Sequence, residues 1–186
     1  MVSPMVSVVL PCYNAAKNLE QCLDSILNQT LTEIEVICVD DGSTDTTLDI
    51  LRSYQHRDPR ICLIQQANAG AGAARNTGLA RASGTYLSFL DADDFFGPDM
   101  LEKAVAAAEK INKSEVTVQI ACGAGGKTFG SVTAKEISDA LELQGIEIDK
   151  RKIVLKDSIK TLGNYVVEIK LHPTVTAKLK LHVEGK

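Results

Sequence analysis

Short apolar runs alternate with stretches of helical spacing along the first part of the chain. Residues 6–10 (V-S-V-V-L), 35–39 (E-V-I-C-V), 61–64 (I-C-L-I) and 86–90 (Y-L-S-F-L) are bounded by polar or turn residues. That is the pattern of strands buried in a parallel sheet. Between the first two runs, Leu19, Cys22, Leu23, Ile26, Leu27 and Leu31 recur at helical spacing, predicting an amphipathic helix over 16–30. A second helix carries Leu48, Leu51 and Tyr54, with Ser43 or Thr44 placed to cap it. A third, of small residues, begins after Asn68-Ala69-Gly70 and ends near Gly84. A fourth follows Phe96-Gly97-Pro98, with Pro98 near its first turn and Met100, Leu101, Ala104, Val105, Ala108 and Ile111 inward. Strands alternating with helices of this length predict right-handed crossovers and an α/β fold on a parallel sheet.

That fold gathers polar residues at one edge. Tyr13 and Asn14 follow the first strand, Asp40 and Asp41 the second, Gln66 and Asn68 the third, and Asp91, Asp93 and Asp94 the fourth. Open α/β sheets bind ligands beyond the carboxyl ends of their strands, so this convergence predicts a site. Three acids within four positions repel one another unless a cation sits among them. A hard divalent ion, Mg²⁺ or Mn²⁺, would supply that charge, held by one or two carboxylates and by substrate phosphates. The other reading of the acids alone is a solvated turn that caps the next helix.

Composition narrows the choices. The 186 residues are 45% hydrophobic, enough for a packed core, while 4% aromatics and no Trp argue against a base-stacking platform for single-stranded nucleic acid. No apolar stretch approaches a membrane span, and the first residues lack the basic and apolar regions of a signal peptide. Five scattered cysteines without a C-x-x-C pair fit free thiols in a reducing cytoplasm, the expected location. The net charge of −4 divides into −6 over residues 1–113 and +2 over 114–186, which suggests two units with different partners.

The motifs V-S-V-V-L-P-C-Y-N, V-D-D-G-S-T-D, N-A-G-A-G-A-A-R-N-T-G and Y-L-S-F-L-D-A-D-D together resemble the nucleotide-sugar-binding half of family-two glycosyltransferases, which have the GT-A fold. The resemblance covers residues 5–110. It implies hexosyl transfer from a nucleotide-sugar, a UDP-sugar by preference. Asp40 and Asp41 would hold the uracil and ribose, Pro11, Tyr13 and Asn14 would line the base pocket, and Arg75 would lie near the diphosphate. Asp91-Ala92-Asp93 resembles the family's D-x-D signature, with Asp93 as the direct metal ligand and Asp91 nearer the ribose or sugar. Members of that family continue into an acceptor-binding half with a catalytic carboxylate. Nothing of that kind follows residue 110 here, so the expectation is donor and metal binding without transfer.

Composition shifts at 111–115, and domains are expected over 1–113 and 114–186. In the second, residues 116–121 read as a strand, and Thr133 with Glu136 forms a capping box for a helix stopped by Gly145. Residues 165–171 and 175–183 alternate as an antiparallel pair with one wet, basic face. Gly126-Lys127-Thr128 is no phosphate loop, because Ala121 stands where that motif needs Gly. The segments G-A-G-G-K-T-F-G-S-V-T, Q-G-I-E-I-D-K-R-K-I and V-E-I-K-L-H-P-T-V-T-A-K-L-K-L-H-V, across residues 115–183, resemble the C-terminal domain of bacterial large-subunit ribosomal protein L-nine. The whole then reads as a chimera: an α/β half-domain joined to a small α+β domain. In the second part Lys127, Lys150, Arg151 and Lys152 are the candidates for ribosomal RNA phosphates, against a solvated basic surface as the plainer reading. Apolar surface left by a missing sheet half would favour a homodimer.

Overall fold

The computed structural model describes residues 3–122, 128–155, 157–172 and 175–186. It divides into two compact units, residues 1–103 and 104–186.

The first unit is a four-stranded, all-parallel sheet. Its strands are β1 (Val6–Cys12), β2 (Ile34–Asp40), β3 (Ile61–Gln65) and β4 (Tyr86–Phe89), in the order β3-β2-β1-β4. Helices α1 (Leu19–Leu27), α2 (Thr47–Arg57) and α3 (Ala71–Arg81) make the crossovers. β1 is buried along its whole length, so both of its faces are apolar. Val9, Ile37 and Val39 form one core with Ala74 of α3, and period-two alternation leaves Val8, Leu10, Val36 and Cys38 buried on the opposite face. Gly78 makes the α3 packing close. A Cβ there would lie 2.4 Å from Val9 Cγ1, so only glycine fits without a shift.

Several boundaries depart from the sequence pattern, each for a local reason. β1 runs through Pro11 instead of stopping at it. β4 pairs only with Val6–Val9, so at Pro11 the strand has one neighbour and the missing N–H interrupts no ladder. α1 begins at Leu19 rather than 16, because the backbone N–H groups of Ala15 and Ala16 are spent on Thr47 Oγ1 (2.8 Å) and Asp45 Oδ2 (3.3 Å). α2 is not capped by Ser43 or Thr44. It starts at Thr47, whose N–H donates to Asp45 Oδ1 at 2.9 Å. α3 ends at Arg81, where Ala82 turns extended.

α4 (Met100–Lys113) contains the division between the units, which composition had placed at 113/114. Its last turns attach to the second unit: Lys110 Nζ donates to Gly145 O (2.8 Å), and Asn112 Oδ1 accepts from Lys178 N (2.7 Å). In that unit β5 (Glu115–Cys122), β6 (Thr128–Phe129), β7 (Ile153–Val154), β8 (Gly163–His172) and β9 (Val175–Gly185) form a mixed sheet in the order β6-β5-β9-β8-β7. β8 and β9 are antiparallel, as their alternation requires, whereas β5 lies parallel to β9. Helix α5 (Ala134–Glu142) packs on β5 and β7, burying Ile137 and Leu141. The Thr133–Glu136 capping box forms, and Gly145 (φ 72°) turns the chain after the helix.

The exposed face of this sheet is mixed in charge rather than basic. Glu168 stands opposite Lys178, and Glu115 opposite Lys180. Of the candidate RNA contacts, Lys127 lies outside the described residues. Arg151 is forked onto Asp149 (Nη2–Oδ2 2.5 Å), holding that carboxyl at about 2, and Lys152 Nζ donates to Leu171 O at 2.9 Å. Lys150, in the same 3-10 turn (Lys150–Lys152), is exposed.

Candidate functional site

A cavity of about 540 Å³ opens at the carboxyl edge of the parallel sheet. Pro11, Tyr13 and Asn14 reach it from β1, Asp41 from β2, Asn68 and Gly70 from the connection after β3, and Asp91 and Asp93 from the turn after β4. Four strand ends thus meet in one cleft, as parallel topology dictates.

The loops that carry these groups are tied together. Asn14 adopts a positive φ of 49°, and its Oδ1 accepts from Thr44 N (2.8 Å) while its own N–H donates to Ser43 Oγ (3.1 Å). Gly42, at φ 73°, lets the turn after β2 press on the loop after β3, since a Cβ there would sit 2.9 Å from Asn68 N. Asp41 is 2% exposed and knits the same junction. Its carboxylate accepts from Ala69 N (2.9 Å), Gln66 Nε2 (2.7 Å) and Gly70 N (2.8 Å). The Ala69 N–H foremost, with Gln66 and Gly70, holds its pKa below the usual carboxylate range against the cost of burial.

Asp40 is placed differently. It is 3% exposed at the end of β2, does not line the cavity, and keeps one carboxylate oxygen, Oδ1, with no hydrogen-bond partner.

The acidic turn is braced from beneath by α1. Asp94 N donates to Asp91 O (2.9 Å), and the Cys22 thiol points at the same carbonyl (3.7 Å). Burial, then the carboxylates of Asp94, Asp93 and Asp91, push the Cys22 thiol up to about 12. The buried amide of Gln29 joins Gly97 O (2.6 Å) to Leu101 N (3.0 Å), anchoring the following segment. Arg75 leaves α3 on the stripe of Ala71, Ala74 and Gly78 and forms an ion pair with Asp91. Among the described residues, no hydrogen bond or ion pair engages the side chain of Asp93.

The sequence reading gave Cys12, Lys17, Asn18 and Ala71 no role in the site, yet all four line the cavity. Their signal was position: each sits at a strand-to-helix junction on the carboxyl edge. Tyr13 is 53% exposed, so its ring is open to a partner.

A four-stranded parallel α/β sheet with a cleft at its carboxyl edge is the arrangement of a GT-A-type fold. The sequence matches glycosyl transferase family 2 over residues 7–161, and the chain belongs to that family. It is 42% identical over 120 residues to the uncharacterized glycosyltransferase EpsJ of Bacillus subtilis strain 168, a match over 64% of this chain and 34% of EpsJ. The chain thus spans about a third of that relative. Among solved structures, the mannosyltransferase PcManGT of Pyrobaculum calidifontis, in complex with GDP-Man and Mn²⁺, is 31% identical with a TM-score of 0.54, covering 64% of this chain and 36% of its own. S. aureus TarS 1–349 in complex with UDP-GlcNAc matches 97% of this chain and 58% of its own at 24% identity and a TM-score of 0.56, a likeness of fold. No described helix is long and apolar enough to cross a membrane.

Proposed function

We propose that the cavity binds a nucleotide-sugar, a UDP-sugar first, together with Mg²⁺ or Mn²⁺, as the donor side of hexosyl transfer. The observation that carries this reading is the meeting of Tyr13, Asn14, Asp41, Asp91 and Asp93 around one cleft. Pro11, Tyr13 and Asn14 line the base pocket, and Asp41 holds the uracil and ribose; Asp40, buried and off the cavity lining, has no direct contact there. Asp91 faces the ribose or sugar. Two proteins of this fold, PcManGT and TarS, are described with nucleotide-sugars bound.

The donor set suits the cation. Among the described residues no group of three His, Cys, Asp or Glu side chains forms a closed metal cage. Mg²⁺ and Mn²⁺ need none, because they keep waters and share phosphate oxygens around one or two carboxylates. Asp93, whose side chain has no hydrogen bond or ion pair among the described residues, would hold such an ion, with Asp91 assisting. When bound, the ion would offset charge growing on the departing diphosphate. Arg75, whose planar fork matches phosphate oxygens, would add to that effect.

Transfer to an acceptor hydroxyl also needs a base within hydrogen-bond reach. Asp41 is held by backbone N–H groups, and the reading above gives Asp91 and Asp93 to the cation, which leaves neither as a free base. We therefore assign residues 1–113 donor binding without transfer. Calorimetry with UDP and Mn²⁺ tests the reading: wild type should bind, and Asp93→Ala should lose the Mn²⁺-dependent heat. UDP binding that is indifferent to Mn²⁺ and to Asp93 would defeat it.

For the second unit we propose the ribosomal L-nine-like ancestry suggested by residues 115–183, making the chain a fusion. Its own five-stranded sheet supports this, while the family-two match, which runs through α5 to residue 161, stands against it. Ribosomal RNA binding is the lesser reading, because Arg151 and Lys152 already have protein partners. Filter binding at two salt concentrations would detect it as a salt-dependent affinity.

A further inference from the structure

Arg75 and Asp91 are the groups the donor reading assigns to phosphate and to ribose or sugar, yet they pair with each other. Both side chains are substantially exposed, at 38% and 52%, so solvent screens the pair and little free energy opposes its opening. It is nonetheless the internal counter-ion of a turn that holds Asp91, Asp93 and Asp94. α3 fixes where it sits. Ala74 is buried against Val9, Ile37 and Val39, so the next residue leaves the helix at a set point beside the cavity.

We propose that the Arg75–Asp91 pair is an exchange latch: the guanidinium balances Asp91 until donor and cation arrive, and then moves to the diphosphate. This rests on the donor reading above. The exchange follows from the preferences of its partners. A guanidinium fork pairs with phosphate oxygens at least as well as with a carboxylate, and a hard dication favours the carboxylate it releases. Each ligand therefore frees the group that the other needs. Nucleotide and cation then strengthen each other's binding, by the same factor in both directions. Part of that coupling runs through Arg75 and Asp91.

The experiment is a double-mutant cycle read by binding alone. UDP affinity is measured by calorimetry in EDTA and in Mn²⁺, and Mn²⁺ affinity without nucleotide by electron paramagnetic resonance. Because the pair is exposed, Asp91→Asn and Arg75→Gln leave the fold intact. Asp91→Asn should raise metal-free UDP affinity by up to about fivefold, the ceiling of ~1 kcal/mol for an exposed pair. Arg75→Gln should tighten Mn²⁺ alone by a similar factor and weaken UDP in Mn²⁺. In the double variant, the UDP gain from Asp91→Asn should vanish. A gain that persists when Arg75 is already Gln is simple charge removal and overturns the latch, leaving donor binding standing. Wild-type protein with no UDP heat at millimolar nucleotide and Mn²⁺ overturns the donor reading, and the latch with it.

Discussion

The Asp41 carboxylate takes its hydrogen bonds from groups more than twenty residues away, and they hold it ionised. Asp45 is held down chiefly by the Thr47 hydroxyl, and Asp58 by the Arg60 guanidinium. All three folded-state values lie below the ordinary Asp value. Their contribution is therefore present above about pH 4 and is lost as pH falls through the depressed values. Urea midpoints should be level from about pH 7 to 5 and decline below about pH 4. Asp41→Asn should shallow that acid limb, and an unchanged limb would dissociate Asp41 from acid stability. The acids at the edge were legible in the sequence, because each directly follows an apolar run. Their partners were not. Which carboxylate Arg75 meets, and which one Gln66 and Ala69 serve, depends on loops brought together by the sheet.

At the scale of elements, α3 shows how a weakly amphipathic segment finds its place. Its stripe of Ala71, Ala74 and Gly78 lets the backbone lie close on β1, and Gly78 meets Val9 side-chain carbons directly. Gly78→Ala gains up to about 1 kcal/mol in helix propensity but overpacks, which costs about 1–3 kcal/mol. The net expectation is destabilisation, measured by chemical denaturation. Gly72, on the same helix with open space at its Cβ, is the control: Gly72→Ala should be neutral or stabilising by up to about 1 kcal/mol. Equal effects at the two positions would remove the close-packing account. Element identity was readable from periodicity for the longer strands and helices, whose errors sit at their ends, but not for the two-residue strands β6 and β7 or the 3-10 turn at 150–152. At Pro11, Ala15 and Thr44 the deciding hydrogen bonds come from another loop or a neighbouring strand, beyond any local window.

For the molecule as a whole, the two units have separate cores. The second buries Val116, Val118, Ile120, Ile137, Leu141, Ile169, Leu179 and Leu181 around its own sheet. A fragment of residues 104–186 is expected to fold alone, giving a cooperative thermal transition and dispersed amide resonances. A non-cooperative melt would show that its core depends on the first unit.

The amino-acid sequence alone determined the order of strands and helices, the parallel character of the first sheet, and the edge that would carry the acids. These follow from side-chain periodicity and turn chemistry among near neighbours. Tertiary structure decided that β5 lies beside β9, that the exposed face of the second sheet is neutralised by facing glutamates, and that Lys17 and Asn18 reach the cavity. It also decided that Arg75 pairs with Asp91. Such pairings join residues far apart in the chain, and packing selects them only once the sheet has closed the loops between them.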